Sequence, residues 1–157
     1  FILGLLFLAV ALTGKPSFSA EVEPYLQSLL SQKAPTDVLS VFLDMTEQVD
    51  LEELNRNFKA LKADRALSHK MVIEALREKA QISQTGLLNY LKIKKEQGEV
   101  LDYKNFWIAN LVWVKASKRE IEILSRRTDI HTIYAQPQVE LIHPVDITSA
   151  PKVLIGV

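Results

Sequence analysis

Apolar residues along this chain alternate between a helical period and a strand period, and the switches define its elements. Leu26, Leu29 and Leu30 stand at helical spacing in residues 24–32, with Pro24 near the helix start. Pro35 breaks that pattern, and residues 37–45 then read as a strand with Leu39, Val41, Leu43 and Met45 on one face and Ser40, Phe42 and Asp44 on the other. Residues 50–61 carry Leu51, Leu54, Phe58 and Leu61 at helical spacing. They lead into a longer helix over residues 64–97, whose row Val72, Leu76, Ala80, Ser83, Leu87 and Leu91 advances in steps of three and four until Gly98 ends it. Residues 99–104 and 107–115 read as two further strands, the second rich in β-branched and aromatic side chains.

Ser117 to Glu120 has the form of a capping box, in which the Ser117 hydroxyl accepts from the Glu120 amide and the Glu120 carboxylate reaches back to the cap. The helix it opens turns Ile121 and Leu124 inward and ends near Arg126 and Arg127, where the helix dipole favours cations. Asp129 turns the chain and residues 130–134 form the last strand. Pro137, Pro144 and Pro151 make the remainder an extended, mobile tail.

Without the leading helix, the order strand, helix, strand, strand, helix, strand predicts an α+β fold. It is that of a ferredoxin-like sandwich, an antiparallel four-stranded sheet with two helices on one face. Alternation then sends Phe42, Trp113 and Tyr134 to the opposite, open face, on strands expected to be neighbours. A large apolar patch facing water marks a docking site; the competing arrangement has Trp113 and Tyr134 partly covered by the tail or the leading helix.

The first residues add a location. Residues 1–12 are almost wholly apolar, too short a run to span a bilayer, and Ser17, Phe18 and Ser19 give a small-x-small pattern suited to signal-peptidase cleavage after Ser19 or Ala20. A signal peptide over residues 1–19 is therefore expected, its true start lying upstream because the chain opens on Phe1 with no basic leader. Residues 20–36 then form a short helix and linker, residues 37–135 the domain, and residues 136–157 the tail.

Composition narrows the chemistry. Nineteen Lys and Arg balance nineteen Asp and Glu in 157 residues, so no basic field exists to attract nucleic acid. Tyr103, Phe106 and Trp107 could resemble a base-stacking sheet, but the balanced charge denies such a platform the electrostatic attraction that supplies most of the affinity. There is no cysteine, and His69, His131 and His143 have no carboxylate or second histidine at zinc spacing; no metal and no cofactor is expected. The histidines read as surface residues, with His131 and His143 placed to sense pH beside the open face and tail. Glu52 and Glu53, and the run Lys92, Lys94 and Lys95, read as solvated helix faces.

Several segments carry a resemblance. Phe106-Trp-Ile-Ala-Asn-Leu-Val-Trp-Val114, Ser117-Lys-Arg-Glu-Ile121, Thr128-Asp-Ile-His-Thr-Ile133, Leu87-Leu-Asn-Tyr-Leu91 and the strand from Val38 to Asp44 together resemble the N-terminal propeptides of secreted bacterial subtilisin-type serine proteases, over roughly residues 24–143. The resemblance implies that the open sheet face packs on two surface helices of a protease catalytic domain, in cis or in trans, while the C-terminal extension lies in the substrate cleft like a product. Phe42, Trp113 and Tyr134 become the docking face, and Ala135, Gln136, Pro137, Gln138, Val139, Glu140 and Leu141 the inhibitory tail, with autocleavage from Leu141 onward. Such a module stabilises the native protease and its folding transition state, so it acts as intramolecular chaperone and as inhibitor.

The family's catalytic segments Asp-Thr-Gly, His-Gly-Thr and Gly-Thr-Ser do not occur here, and none of the five glycines opens a Gly-x-Ser turn. This chain is expected to be no enzyme itself. It is either a precursor fragment, secreted or periplasmic with no membrane contact after signal cleavage, or a free-standing inhibitor of the same fold. A secreted ferredoxin-like dimerisation module whose open faces pack together is the third reading.

Overall fold

The computed structural model describes residues 20–137. Its elements are β1 (Glu21–Val22), α1 (Pro24–Ser31), β2 (Val38–Met45), α2 (Leu51–Leu61), α3 (Arg65–Glu96), β3 (Val100–Phe106), β4 (Leu111–Ser117), α4 (Lys118–Leu124) and β5 (Ile130–Ala135). Residues 1–19, where a signal peptide is expected, and Gln138, Val139, Glu140, Leu141 and His143 of the expected tail lie outside the described residues.

The fold is α+β, with the strands in the order β1-β5-β2-β4-β3. β2 pairs antiparallel with both β4 and β5, and β3 pairs antiparallel with β4. The expected four-stranded antiparallel sheet with two helices needs correction. β1 adds a fifth strand parallel to β5, which makes the sheet mixed, and the described residues hold four helices. A two-residue strand has no readable alternation, so β1 left no periodic signal in the sequence.

One core lies on one side of the sheet. Val41, Leu43 and Met45 of β2, Val112, Val114 and Ala116 of β4, and Ile133 of β5 meet Leu26 and Leu30 of α1, Leu87 and Leu91 of α3, and Ile121 and Leu124 of α4. Burying side chains of this size stabilises by about 1.5–3 kcal/mol each, which is why the alternation of β2 and β4 is enforced. α1 is thus a third core helix, and residues 20–36 are stitched to the sheet. The Ala20 amide donates to the Ser125 carbonyl at 2.8 Å, the Glu23 amide to Ile133 at 3.0 Å, and the Ala135 amide to Glu23 Oε2 at 3.1 Å. α2 buries no residue; its Leu54 shares a groove with Ala75 and Ile82 of α3.

The strand expected over residues 107–115 starts later. Trp107 to Asn110 form the turn between β3 and β4, with Asn110 at φ 47°. Asn tolerates this left-handed conformation better than most residues. Its buried side chain also accepts from Gln84 Nε2 at 2.9 Å and donates to the Glu47 carbonyl at 2.5 Å, tying the hairpin tip to α3 and to the segment after β2. Turn chemistry overrode the β-propensity of Trp107 and Ile108. Gly98, at φ 77°, follows the end of α3 as expected.

The capping box is half formed. Ser117 Oγ accepts from the Glu120 amide at 3.3 Å, but the Glu120 carboxylate accepts from the Tyr90 hydroxyl at 2.5 Å. Glu120 is buried, and its bond to α3 fastens α4 across the core. The backbone amides of Lys118 and Arg119 instead find the carbonyls of Asp37 and Pro35 at 2.8 and 3.1 Å. Burial, followed by the Glu120 contact, holds the Tyr90 phenol above its usual value.

Because Leu26 is fully buried, Leu26→Ala is expected to cost about 2–5 kcal/mol, read as a lower urea midpoint with unchanged slope. A cost under about 0.5 kcal/mol, the range of surface changes, would make residues 20–36 an appendage.

Candidate docking face

Opposite residues of paired strands share a face, so the register arranges the outer side of the sheet in rungs. In the middle rung Lys104, Trp113, Phe42 and Tyr134 follow one another across β3, β4, β2 and β5. Below it run Phe106, Leu111, Asp44 and Thr132, and above it Asp102, Lys115 and Ser40. Apart from buried Thr132, these residues are half-buried or exposed, whereas their neighbours in sequence on β2 and β4 are mostly fully buried. The three aromatics that alternation assigned to the open face are brought together there. Tyr134 is 40% exposed, and Phe42 and Trp113 are half-buried.

Sequence reasoning missed part of this surface. Phe106 lies 6.5 Å from Phe42 between ring centroids, is 37% exposed, and carries Lys104 Nζ over its ring at 5.5 Å. Leu111 stands beside it in the register. Leu111 stands two positions from Trp113, so alternation along the expected strand already placed it outward, whereas Phe106 required the preceding strand to run two residues past 104. Tyr103, Phe106 and Trp107 do not form a common platform. Tyr103 packs against the core, Phe106 is on the opposite face, and Trp107 lies in the turn with the Arg77 guanidinium 4.8 Å above its ring.

The start of the tail also differs from expectation. Ala135 is the last residue of β5, buried and paired with Val41. Gln136 follows, its amide donating to the Ser40 carbonyl at 3.0 Å and its side-chain Oε1 accepting from Trp113 Nε1 at 2.9 Å. Partial cover of Trp113 thus comes from the tail's first residue.

Charge around the rungs is mixed. The Asp102 carboxyl is held below its usual range, first by the Lys95 ammonium 2.6 Å away and then by the Tyr103 amide. Asp44 goes the other way. Burial pushes its carboxyl up, opposed by nearby His131 and by the Met45 backbone, while Gln48 Nε2 donates to it at 3.0 Å. His69 and His131 are both exposed. Among the described residues, no group of three or more His, Asp or Glu side chains could hold a metal, and no helix is long and apolar enough to cross a membrane. The face offers aromatic surface bordered by charges of both signs.

No protein-family model matches the chain, and no curated protein sequence or solved structure is significantly similar to it.

Asp44 supplies a pH test. With its native value raised above 3.8, it favours folding fully below that value, and the benefit is lost as pH rises through the native value. Asp44→Asn, which keeps an acceptor for Gln48, is therefore expected to stabilise the fold at neutral pH, with the advantage vanishing in acid. Denaturant midpoints measured against pH check this; a neutral-pH advantage that persists in acid contradicts it.

Proposed function

We propose that this chain is the propeptide of a secreted subtilisin-like serine protease, acting as intramolecular chaperone and autoinhibitor. The observation that carries the reading is the row of Trp113, Phe42 and Tyr134 on the outer side of the sheet. A monomer gains nothing by leaving a row of adjacent rings, bordered by Phe106 and Leu111, exposed to water. Aromatic residues are the side chains that dominate protein interfaces.

Two further features support it. The antiparallel strands stand in the order β5-β2-β4-β3, with α3 and α4 as the intervening helices. That order agrees with the ferredoxin-like arrangement expected from the order of elements, in a sheet widened by β1 and a fold that adds α1 and α2. The tail leaves β5 at Gln136, beside Trp113, so a catalytic domain seated on the rungs would have the tail within reach of its cleft. Ala135 belongs to the strand on this reading, and the inhibitory segment begins at Gln136 and runs on through Leu141.

The mechanism is mass action on folding. Docking stabilises any state of the protease that has formed the matching surface and leaves the unfolded chain unaffected. The same contacts slow release of the tail from the cleft, which excludes substrate until the tail is cut.

The reading is tested by inhibition of subtilisin-type proteases with the full chain and with a Trp113→Asp, Tyr134→Asp double variant. Loss of two central aromatics should weaken inhibition roughly thirtyfold or more. Unchanged inhibition sinks the docking face, and a stable homodimer that hides Trp113 transfers the surface to self-association.

A further inference from the structure

The side chain of Gln136 crosses β2 to reach Trp113 on β4. Ala135 faces the core, so alternation turns Gln136 outward, onto the same face as Tyr134 and Trp113. Its amide continues the ladder to Ser40 at 3.0 Å. Ser40, with Lys115 opposite it on β4, is the small residue of the upper rung, which leaves room for the Gln136 side chain to pass diagonally to the indole. The result is an Nε1–H to Oε1 bond of 2.9 Å between the centre of the aromatic row and the first residue of the tail.

We propose that Gln136 is a positioning residue that clasps Trp113, so that the docking face and the inhibitory tail bind as one pre-organised unit. This rests on the reading of the chain as a protease inhibitor and adds to it how its two contacts are coupled. A tail pivoting freely after Ala135 loses conformational freedom when it enters a cleft. One held by its first amide and its first side chain has part of that freedom removed beforehand. The clasp also gives Trp113 a second role. Its ring presents apolar surface to a partner while its N–H is satisfied within the chain, so docking buries no unpaired donor. A partner covering the indole excludes water from the bond, which strengthens it and aims the tail more firmly.

The test is a double-mutant cycle on the full chain. Gln136→Ala removes the acceptor, and Trp113→Phe keeps an aromatic ring but removes the donor. Each should weaken inhibition roughly fivefold, the scale of one net hydrogen bond, and the double variant should be little worse than either single change. Gln136→Glu, which keeps an acceptor oxygen at the same reach, should restore most of the inhibition. Independent effects that multiply, or a Gln136→Ala chain that inhibits like the parent, overturn the proposal.

A protease-free readout separates this inference from the reading beneath it. The chain has two tryptophans, so two indole N–H resonances are expected, and Gln136→Ala should move the one from Trp113 while leaving that of Trp107 in place. If neither moves, the clasp is absent whatever the protease assay gives. If the resonance moves but the unaltered chain inhibits no subtilisin-type protease, the function falls and its role in inhibition falls with it.

Discussion

The two-residue alternation of β2 and β4 governs the molecule. Val41, Leu43, Val112 and Val114 must enter the core, and each is fully buried there. Once they do, Phe42 and Trp113 have nowhere to go but the other side, and the register sets them directly opposite each other. A slip of one residue would exchange the sets and expose the aliphatic core, so the register is held by the whole burial energy of the sheet. The aromatic face is therefore as firmly specified as the core, although its rings contribute less to folding than they would if covered.

Two buried polar residues fix what hydrophobicity alone leaves loose. Apolar packing tolerates small shifts of one element along another, but a buried hydrogen-bonding group does not, because leaving it unpaired costs about 1–3 kcal/mol. Asn110 joins the β3–β4 hairpin to α3 and to the end of β2 through Gln84 and Glu47, and Glu120 joins α4 to α3 through Tyr90. Among the described residues, every buried side-chain nitrogen and oxygen finds a partner. These links determine how far along β4 the hairpin turns, and so which of residues 104–113 stand on the outer face.

Where periodicity was long, the sequence was legible. β2, α3 and the sequence of elements followed from apolar spacing, and Phe42, Trp113 and Tyr134 were placed together by alternation. What escaped was set by few residues or by tertiary contact. β1 has two residues and exists because β5 offers it an edge. The β4 boundary depended on a left-handed Asn110 whose partners come from α3 and residue 47. Glu120 fulfilled the capping pattern in sequence, yet Tyr90, thirty positions away, took its carboxylate. Phe106 was hidden because the strand before the turn was ended at 104, while Leu111 was already in phase with Trp113, and the Gln136 bond joins strands that sequence cannot bring together.

The edges of the sheet bear on which surface is available to a partner. An edge strand offers unpaired backbone groups and invites pairing with another chain. At one edge β1 covers β5, and Glu23 Oε2 takes the Ala135 amide that would otherwise point outward. At the other, β3 is interrupted by a bulge between Val100 and Asp102, and it carries Asp102 and Lys104, with Lys95 bonded to Asp102. Bulges and charges are the usual means of discouraging edge pairing. With both edges blunted and the inner side filled by helices, the outer side with its aromatic rung is left as the remaining face of these strands. The docking proposed for this face would require no backbone pairing, only a shape that accepts the ring of Trp113 between Phe42 and Lys104. On the proposed docking, specificity then resides in side chains.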